Sequence, residues 1–133
     1  GTGSGILSVG AARLWKAPIV AVDIDAVAVR VTKENMEING VHHQVTAAVS
    51  NGYQSKLVQQ TAPYDLIIAN ILAKPLMQFA PALSRALSSG GYAILSGLLE
   101  DQEVMVRGAH RIQGLKLVRR FTHEGWCTLL LKK

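Results

Sequence analysis

Gly1-Thr2-Gly3-Ser4-Gly5-Ile6 opens the chain, and the next apolar run, Ile19-Val20-Ala21-Val22, ends in Asp23. Glycine has no side chain and takes positive φ at little cost, so a cluster of three lets main chain approach a ligand closely. A short, β-branched apolar run reads as a strand buried on both faces. A carboxylate at the C-terminal tip of such a strand, about 20 residues after a glycine loop, is where α/β nucleotide folds hold the hydroxyls of a ribose. The pair predicts a nucleoside-binding α/β domain.

Working outward, helical and extended patterns alternate. Ile6 to Leu14 has helical spacing, as does Ala26 to Asn39, with Asp25 as its N-cap and Asn39-Gly40 as its stop. Gln44 to Val49 reads as a strand, Asn51 to Gln60 as a short helix, and Tyr64 to Ala69 as a buried strand. A helix is expected from Pro75 to Leu87, with a kink or restart at Pro81. Ser89-Gly90-Gly91 reads as a turn, Tyr92 to Ser96 as a strand, and Asp101 to Ile112 as a helix. Leu115 to Phe121 and Trp126 to Leu131, joined at His123-Glu124-Gly125, read as an antiparallel hairpin. The fold class is therefore α/β: a doubly wound, Rossmann-like, mostly parallel sheet with an antiparallel C-terminal hairpin. In such a fold the glycine loop follows a central strand, and none precedes Gly1. The first strand is expected to lie upstream of Gly1, and the sheet to show a gap or an intruding segment in its place.

At 133 residues, 49% hydrophobic and with mean hydropathy +0.22, the chain has the size of one folded domain, 1–133. No run approaches the roughly 18 apolar residues of a membrane span. The single cysteine, Cys127, excludes an internal disulfide and reads as a buried, inert thiol in a reducing, cytoplasmic setting. The net charge of +5 comes from 14 basic and 9 acidic residues. The cations are scattered except for Lys116, Arg119, Arg120, Lys132 and Lys133, which read as a solvated face, with an acidic macromolecular partner as the alternative. No His/Cys cluster has metal spacing, and no Gly-x-x-x-x-Gly-Lys loop is present. His42, His43, His110 and His123 read as surface or capping residues. Trp15 and Trp126 read as packing residues, with the alternative that Trp126 borders a site through its hairpin.

The glycine spacing is G-x-G-x-G followed by Ile6, which departs from the G-x-G-x-x-G of dinucleotide enzymes. With Asp23, with Asp65-Leu66-Ile67-Ile68-Ala69-Asn70, and with Leu87-Ser88-Ser89-Gly90-Gly91-Tyr92, it resembles the class I S-adenosylmethionine-dependent methyltransferases. Asn70-Ile71-Leu72-Ala73, Leu95-Ser96-Gly97-Leu98-Leu99 and Glu124-Gly125-Trp126 resemble more closely the catalytic domain of the ribosomal protein methyltransferases that modify the stalk-base protein of the large bacterial subunit. The resemblance covers essentially the whole chain.

That resemblance implies S-adenosylmethionine as cofactor. It places Gly1, Thr2, Gly3 and Gly5 against the methionine half, Asp23 on the ribose hydroxyls, and Ile24 beside it. Adenine would be held by backbone, Ser50 or Asn51, in place of the acid many class I enzymes use. Asn70 would meet both the cofactor and an acceptor amine, with Ile71 and Leu72 excluding water. The implied partner is a ribosomal protein, methylated on lysine or its N-terminal amine in the cytoplasm. The family's separate N-terminal recognition domain is expected to lie outside these residues. Three alternatives stand beside this reading: methylation of RNA or a small acceptor, a dehydrogenase-type dinucleotide binder, and a non-catalytic nucleoside-binding module.

Overall fold

The computed structural model describes residues 1–133. The elements run α1 (Ile6–Leu14), β1 (Ile19–Asp23), α2 (Ala26–Ile38), β2 (Val45–Val49), α3 (Lys56–Thr61), β3 (Tyr64–Asn70), α4 (Ala73–Gln78), α5 (Ala80–Ala86), β4 (Leu87–Leu99), α6 (Glu103–Ile112), β5 (Lys116–His123) and β6 (Trp126–Lys132). A single 3-10 turn, Glu100–Gln102, leads into α6. The strands form two sheets, β1-β2 and β3-β4-β6-β5. They belong to two compact units, Gly1–Val58 and Gln59–Lys133.

In the first unit β1 and β2 run parallel, from Ile19 opposite Val45 to Asp23 opposite Val49. Helix α2 begins where the sequence indicates: the Asp25 carboxylate accepts a hydrogen bond from the Val27 N–H at 2.8 Å. It stops at Asn39, and Gly40 follows with φ 68°. Ala12, Ala21, Met36, Val41 and Val45 form the core of this unit.

In the second unit β3 and β4 are parallel, while β6 lies antiparallel to both β4 and β5. Ala93, Leu95 and Leu98 of β4 and Cys127, Leu129 and Leu131 of β6 are all 1% exposed or less. Their alternation puts them on one face of the sheet. Burying each leucine contributes roughly 1.5–3 kcal/mol. Cys127 is thus the buried thiol that the sequence suggested, and burial pushes its pKa up, out of the reactive range. The expected helix after β3 divides at Phe79, and Pro81 sits in the first turn of α5, where its missing N–H needs no partner.

Three expectations change. Ser89-Gly90-Gly91 is not a free turn but lies within β4, because the Gly90 N–H donates to the Lys133 carbonyl and the Lys133 N–H to Gly91, each at 3.0 Å. His110 is not a surface residue: with Glu103 and Val106 it forms the inner stripe of α6 and is fully buried. Trp15 and Trp126 are not core residues, being 49% and 52% exposed.

Candidate functional site

The glycine loop of the first unit is shaped by its own backbone and by α2. The N–H groups of Gly1 and Thr2 both donate to the Val22 carbonyl, at 2.7 and 2.9 Å, fixing the loop beside the tip of β1. From α2 the Thr32 hydroxyl donates to the Gly3 carbonyl at 3.1 Å and the Asn35 amide to the Ser4 carbonyl at 2.7 Å. Two of the loop's acceptors are thereby taken up by the protein. Gly3 and Gly5 have φ of 57° and 81°, the left-handed region. Their reasons differ. A Cβ on Gly5 would lie 2.7 Å from Met36 Cε and 3.0 Å from Thr32 Cγ2, so Gly5 lets α1 close on α2. A Cβ on Gly3 would meet nothing within 4 Å, so the space beside it is open, while its N–H and carbonyl are engaged by Asp23 and Thr32.

Asp23 faces this loop. Its Oδ2 accepts from the Gly3 N–H at 2.9 Å and its Oδ1 from the Asp25 N–H at 3.0 Å. Partial burial works to raise its pKa. Hydrogen bonds from the Gly3 and Asp25 N–H groups work the other way, and the carboxyl lies below its usual range. Each carboxylate oxygen keeps lone-pair capacity for another donor. Asp25, by contrast, is occupied as the helix cap. Beyond Asp23, Ile24 and Val49 are 68% and 52% exposed, an apolar edge at the ends of β1 and β2.

Ser50 and Asn51 divide. Ser50 is buried, and its hydroxyl donates to the Gly52 carbonyl at 2.7 Å while accepting from the Ser55 N–H at 3.2 Å. It is committed to shaping its own loop. Asn51 is exposed.

Asn70 ends β3 in the second unit, where ligands bind in α/β sheets. It lines a hollow of about 510 Å³ with Ile71, Leu72, Ser96, Gly97 and Trp126. The floor is a β-bulge: Leu95 pairs with Leu129 and Leu98 with Cys127, so Ser96 and Gly97 together oppose the single residue Thr128. Gly97 has φ 84°, and a Cβ there would strike the Ile71 carbonyl oxygen at 2.5 Å and Asn70 Oδ1 at 2.9 Å. Asn70 thus rests directly on bare main chain. The Ser96 and Thr128 hydroxyls lie 3.0 Å apart, and Ile71 N–H donates to the Ser96 carbonyl at 3.2 Å.

Ser96, Gly97 and Thr128 were not singled out as site residues from sequence. The Leu-Ser-Gly-Leu-Leu pattern carried a signal, a glycine inside an apolar strand, which marks a bulge or a close backbone approach. A smaller hollow of about 280 Å³ lies beside α2 and β2, lined in part by Lys33, Glu37 and His42. It holds none of the expected site residues.

These features define a class, the Rossmann-like methyltransferase fold. An RNA methyltransferase from Salinibacter ruber, crystallised with S-adenosyl-L-homocysteine, superposes with a TM-score of 0.75 at 18% identity, over 99% of this chain and 76% of that one. That is a likeness of fold. Ribosomal protein L11 methylase from Lactobacillus delbrueckii subsp. bulgaricus is nearer, with a TM-score of 0.86 at 28% identity over 98% of this chain and 65% of that one. The ribosomal protein L11 methyltransferase of Allorhizobium ampelinum is 45% identical over 132 residues, 99% of this chain and 46% of the relative. The profile of the ribosomal protein L11 methyltransferase (PrmA) family matches residues 1–133, and the chain belongs to that family. It spans about half the length of the curated relatives it matches, 46% in the Allorhizobium case. No helix is long and apolar enough to cross a membrane.

Proposed function

We propose that residues 1–133 form the S-adenosylmethionine-binding catalytic domain of a methyltransferase that modifies amino groups, on lysine or the N-terminus, of a ribosomal protein. The observation that carries this reading is the Asn70 hollow: one amide oxygen, set on the Gly97 bulge and walled by Ile71, Leu72 and Trp126. Family membership and the likeness to ribosomal protein L11 methyltransferases support it.

The residues of the first unit fit the cofactor. Asp23 offers a charged acceptor to two ribose hydroxyls, the stronger kind of hydrogen bond. Gly3 gives unobstructed main chain to the methionine half, and Ile24 and Val49 give an apolar edge suited to adenine. With Ser50 committed to its own loop, we assign adenine's polar contacts to loop backbone and to Asn51. When bound, the cofactor supplies an electrophilic methyl group on a sulfonium.

The second unit holds the amine. Asn70 Oδ1 accepts an N–H from the acceptor and so aims the nitrogen lone pair, a positioning role. Ile71, Leu72 and Trp126 exclude water. A lysine ammonium, with a reference pKa of about 10.4, must lose a proton before it can attack, and an apolar wall lowers that value. None of the six residues lining the hollow is an acid or base that titrates near neutrality.

Asn70 is followed by Ile71-Leu72-Ala73, with no aromatic to stack a base, which places RNA methylation second. A reaction on a ribosomal protein belongs in the cytoplasm. The curated relatives are about twice as long as this chain, and docking of the protein acceptor is not assigned to its residues.

The test is incubation with S-adenosylmethionine and purified bacterial L11, read by intact mass. Increments of one methyl on L11, lost in Asn70→Ala, are expected. Methyl label found only in added ribosomal RNA would replace this reading with the second.

A further inference from the structure

We propose that Arg120 is a positioning residue: by tying the β5–β6 hairpin to the start of α6, it holds the Trp126 indole at the wall of the Asn70 hollow. The inference rests on reading that hollow as the acceptor site.

Trp126 is poorly held by the sheet alone. The bulge at Ser96–Gly97 interrupts the β4–β6 ladder, and beyond it only Leu98 opposite Cys127 and Leu99 opposite Trp126 remain. The hairpin tip then reverses through Glu124 and Gly125, with φ of 48° and 80°, as in a type I′ turn. On the far side β5 is exposed at every position and has no outer neighbour. A hairpin end so placed frays unless something else fastens it.

Three contacts do so, and all reach one short segment between β4 and α6. The Glu100 N–H donates to the Gly125 carbonyl at 3.0 Å. Arg120 Nε donates to Glu103 Oε2 at 2.9 Å, and Arg120 Nη2 to Glu100 Oε2 at 3.2 Å. The planar guanidinium spans two carboxylates at once, which a lysine ammonium cannot reproduce. Most surface ion pairs contribute little. This one differs because the Glu103 side chain is only 10% exposed, with Arg107 Nη1 also 3.0 Å from its other oxygen. Arg120 itself is 41% exposed, so its contribution to overall stability is modest and its geometric effect larger.

Arg120 pairs with Leu129, whose side chain is buried, on the sheet face opposite Trp126. It therefore acts through the strand and does not touch the acceptor. The indole supplies what an amine-bearing side chain calls for: an apolar surface for its stem and a ring face that attracts its cationic end.

The chain has two tryptophans, so Trp15→Phe leaves Trp126 as the only indole emitter. In that background we expect Arg120→Met and the milder Glu100→Ala to raise acrylamide quenching of Trp126, with Arg120→Lys between them and the parent. In methyl transfer to L11, Arg120→Met should raise the acceptor KM about fivefold, the size of an exposed cation–aromatic contact, and leave cofactor affinity unchanged. In a Trp126→Ala background the same substitution should add nothing, since both act on one contact. Unchanged quenching in both Arg120→Met and Glu100→Ala overturns the proposal, as does a KM effect that adds to that of Trp126→Ala. The quenching arm needs no substrate. An unaltered chain that transfers no methyl group would sink the functional reading, while the quenching result would still decide the tether.

Discussion

The glycine loop of the first unit and the Asn70 hollow of the second are built from opposite materials. Around Asp23 the working groups are main-chain: the N–H of Gly3 and of Asp25 grip the carboxylate, and Thr32 and Asn35 hold the loop's carbonyls from behind. Around Asn70 the working groups are mostly side chains, from β3, β4, β6 and the turn after β3, resting on the main chain of the Gly97 bulge. A site made of backbone is sensitive to added atoms, because a new Cβ blocks it. One made of side chains is sensitive to their removal. On the proposed reading the first holds the cofactor and the second the methyl acceptor.

That contrast can be broken most decisively at Asn70. Asn70→Ala should lower methyl transfer on the order of 10²-fold, as loss of a fixed polar group at a reacting centre does, with cofactor affinity unchanged by calorimetry. A parallel fall in cofactor affinity would merge the two sites into one function. Next comes Asp23→Ala, which should weaken S-adenosylmethionine binding by about 1.5–3 kcal/mol, the range for a hydrogen bond to a charged group. Acceptor KM should not move, and an unaltered cofactor affinity would remove Asp23 from the site. Sharper still is a pair within one loop. Gly5→Ala drives a Cβ into Met36 at 2.7 Å with φ at 81°, whereas Gly3→Ala meets open space. In urea melts Gly5→Ala should lose about 2 kcal/mol or more and Gly3→Ala about 1 kcal/mol. Gly3→Ala should nonetheless be the one that obstructs cofactor binding once stability is accounted for.

The smallest expected effect is on pH dependence. Burial lowers the pKa of His110 from 6.5, against the hydrogen bond between its Nδ1 and the Val106 carbonyl, and its Nε2 has no partner. The folded state thus favours the neutral ring, and the unfolded chain binds the extra proton. Stability from this residue is complete above about pH 6.5 and declines as pH falls below that value toward the lowered folded pKa. Denaturation midpoints at pH 7.5 and 5.5 should differ in that direction, and His110→Leu should narrow the gap. An equal gap in the variant would assign the pH response to other groups.

Much of this was legible in the sequence where the signal is local. Periodicity located most helices and strands closely, though α3 begins five residues later and β4 five residues earlier than expected, and Asp25, Asn39-Gly40 and Pro81 marked real boundaries because caps and proline act on their own neighbours. The glycine-to-acid spacing paired the loop with Asp23, and the Gly3 N–H does reach its carboxylate, because loop and strand are adjacent in the chain. What failed to show depends on contacts between distant residues. Gly5 was read as an approach for ligand, and its packing against Met36 and Thr32 appears only when α1 and α2 are placed. His110 looked like a surface polar residue because nothing in a helical pattern tells which stripe faces inward when the stripe itself is polar. Ser96 and Thr128 stand 32 residues apart and meet only through the β4–β6 register.

The bulge has a consequence for how this strand came to be tolerated. Leu95 and Leu98 both point inward across it, so deleting Gly97 would restore an unbroken ladder without turning any core side chain outward. The shortened chain should melt later and work worse, since the shelf under Asn70 would be gone. A defect that the fold could shed so easily, yet carries, records a pressure other than durability.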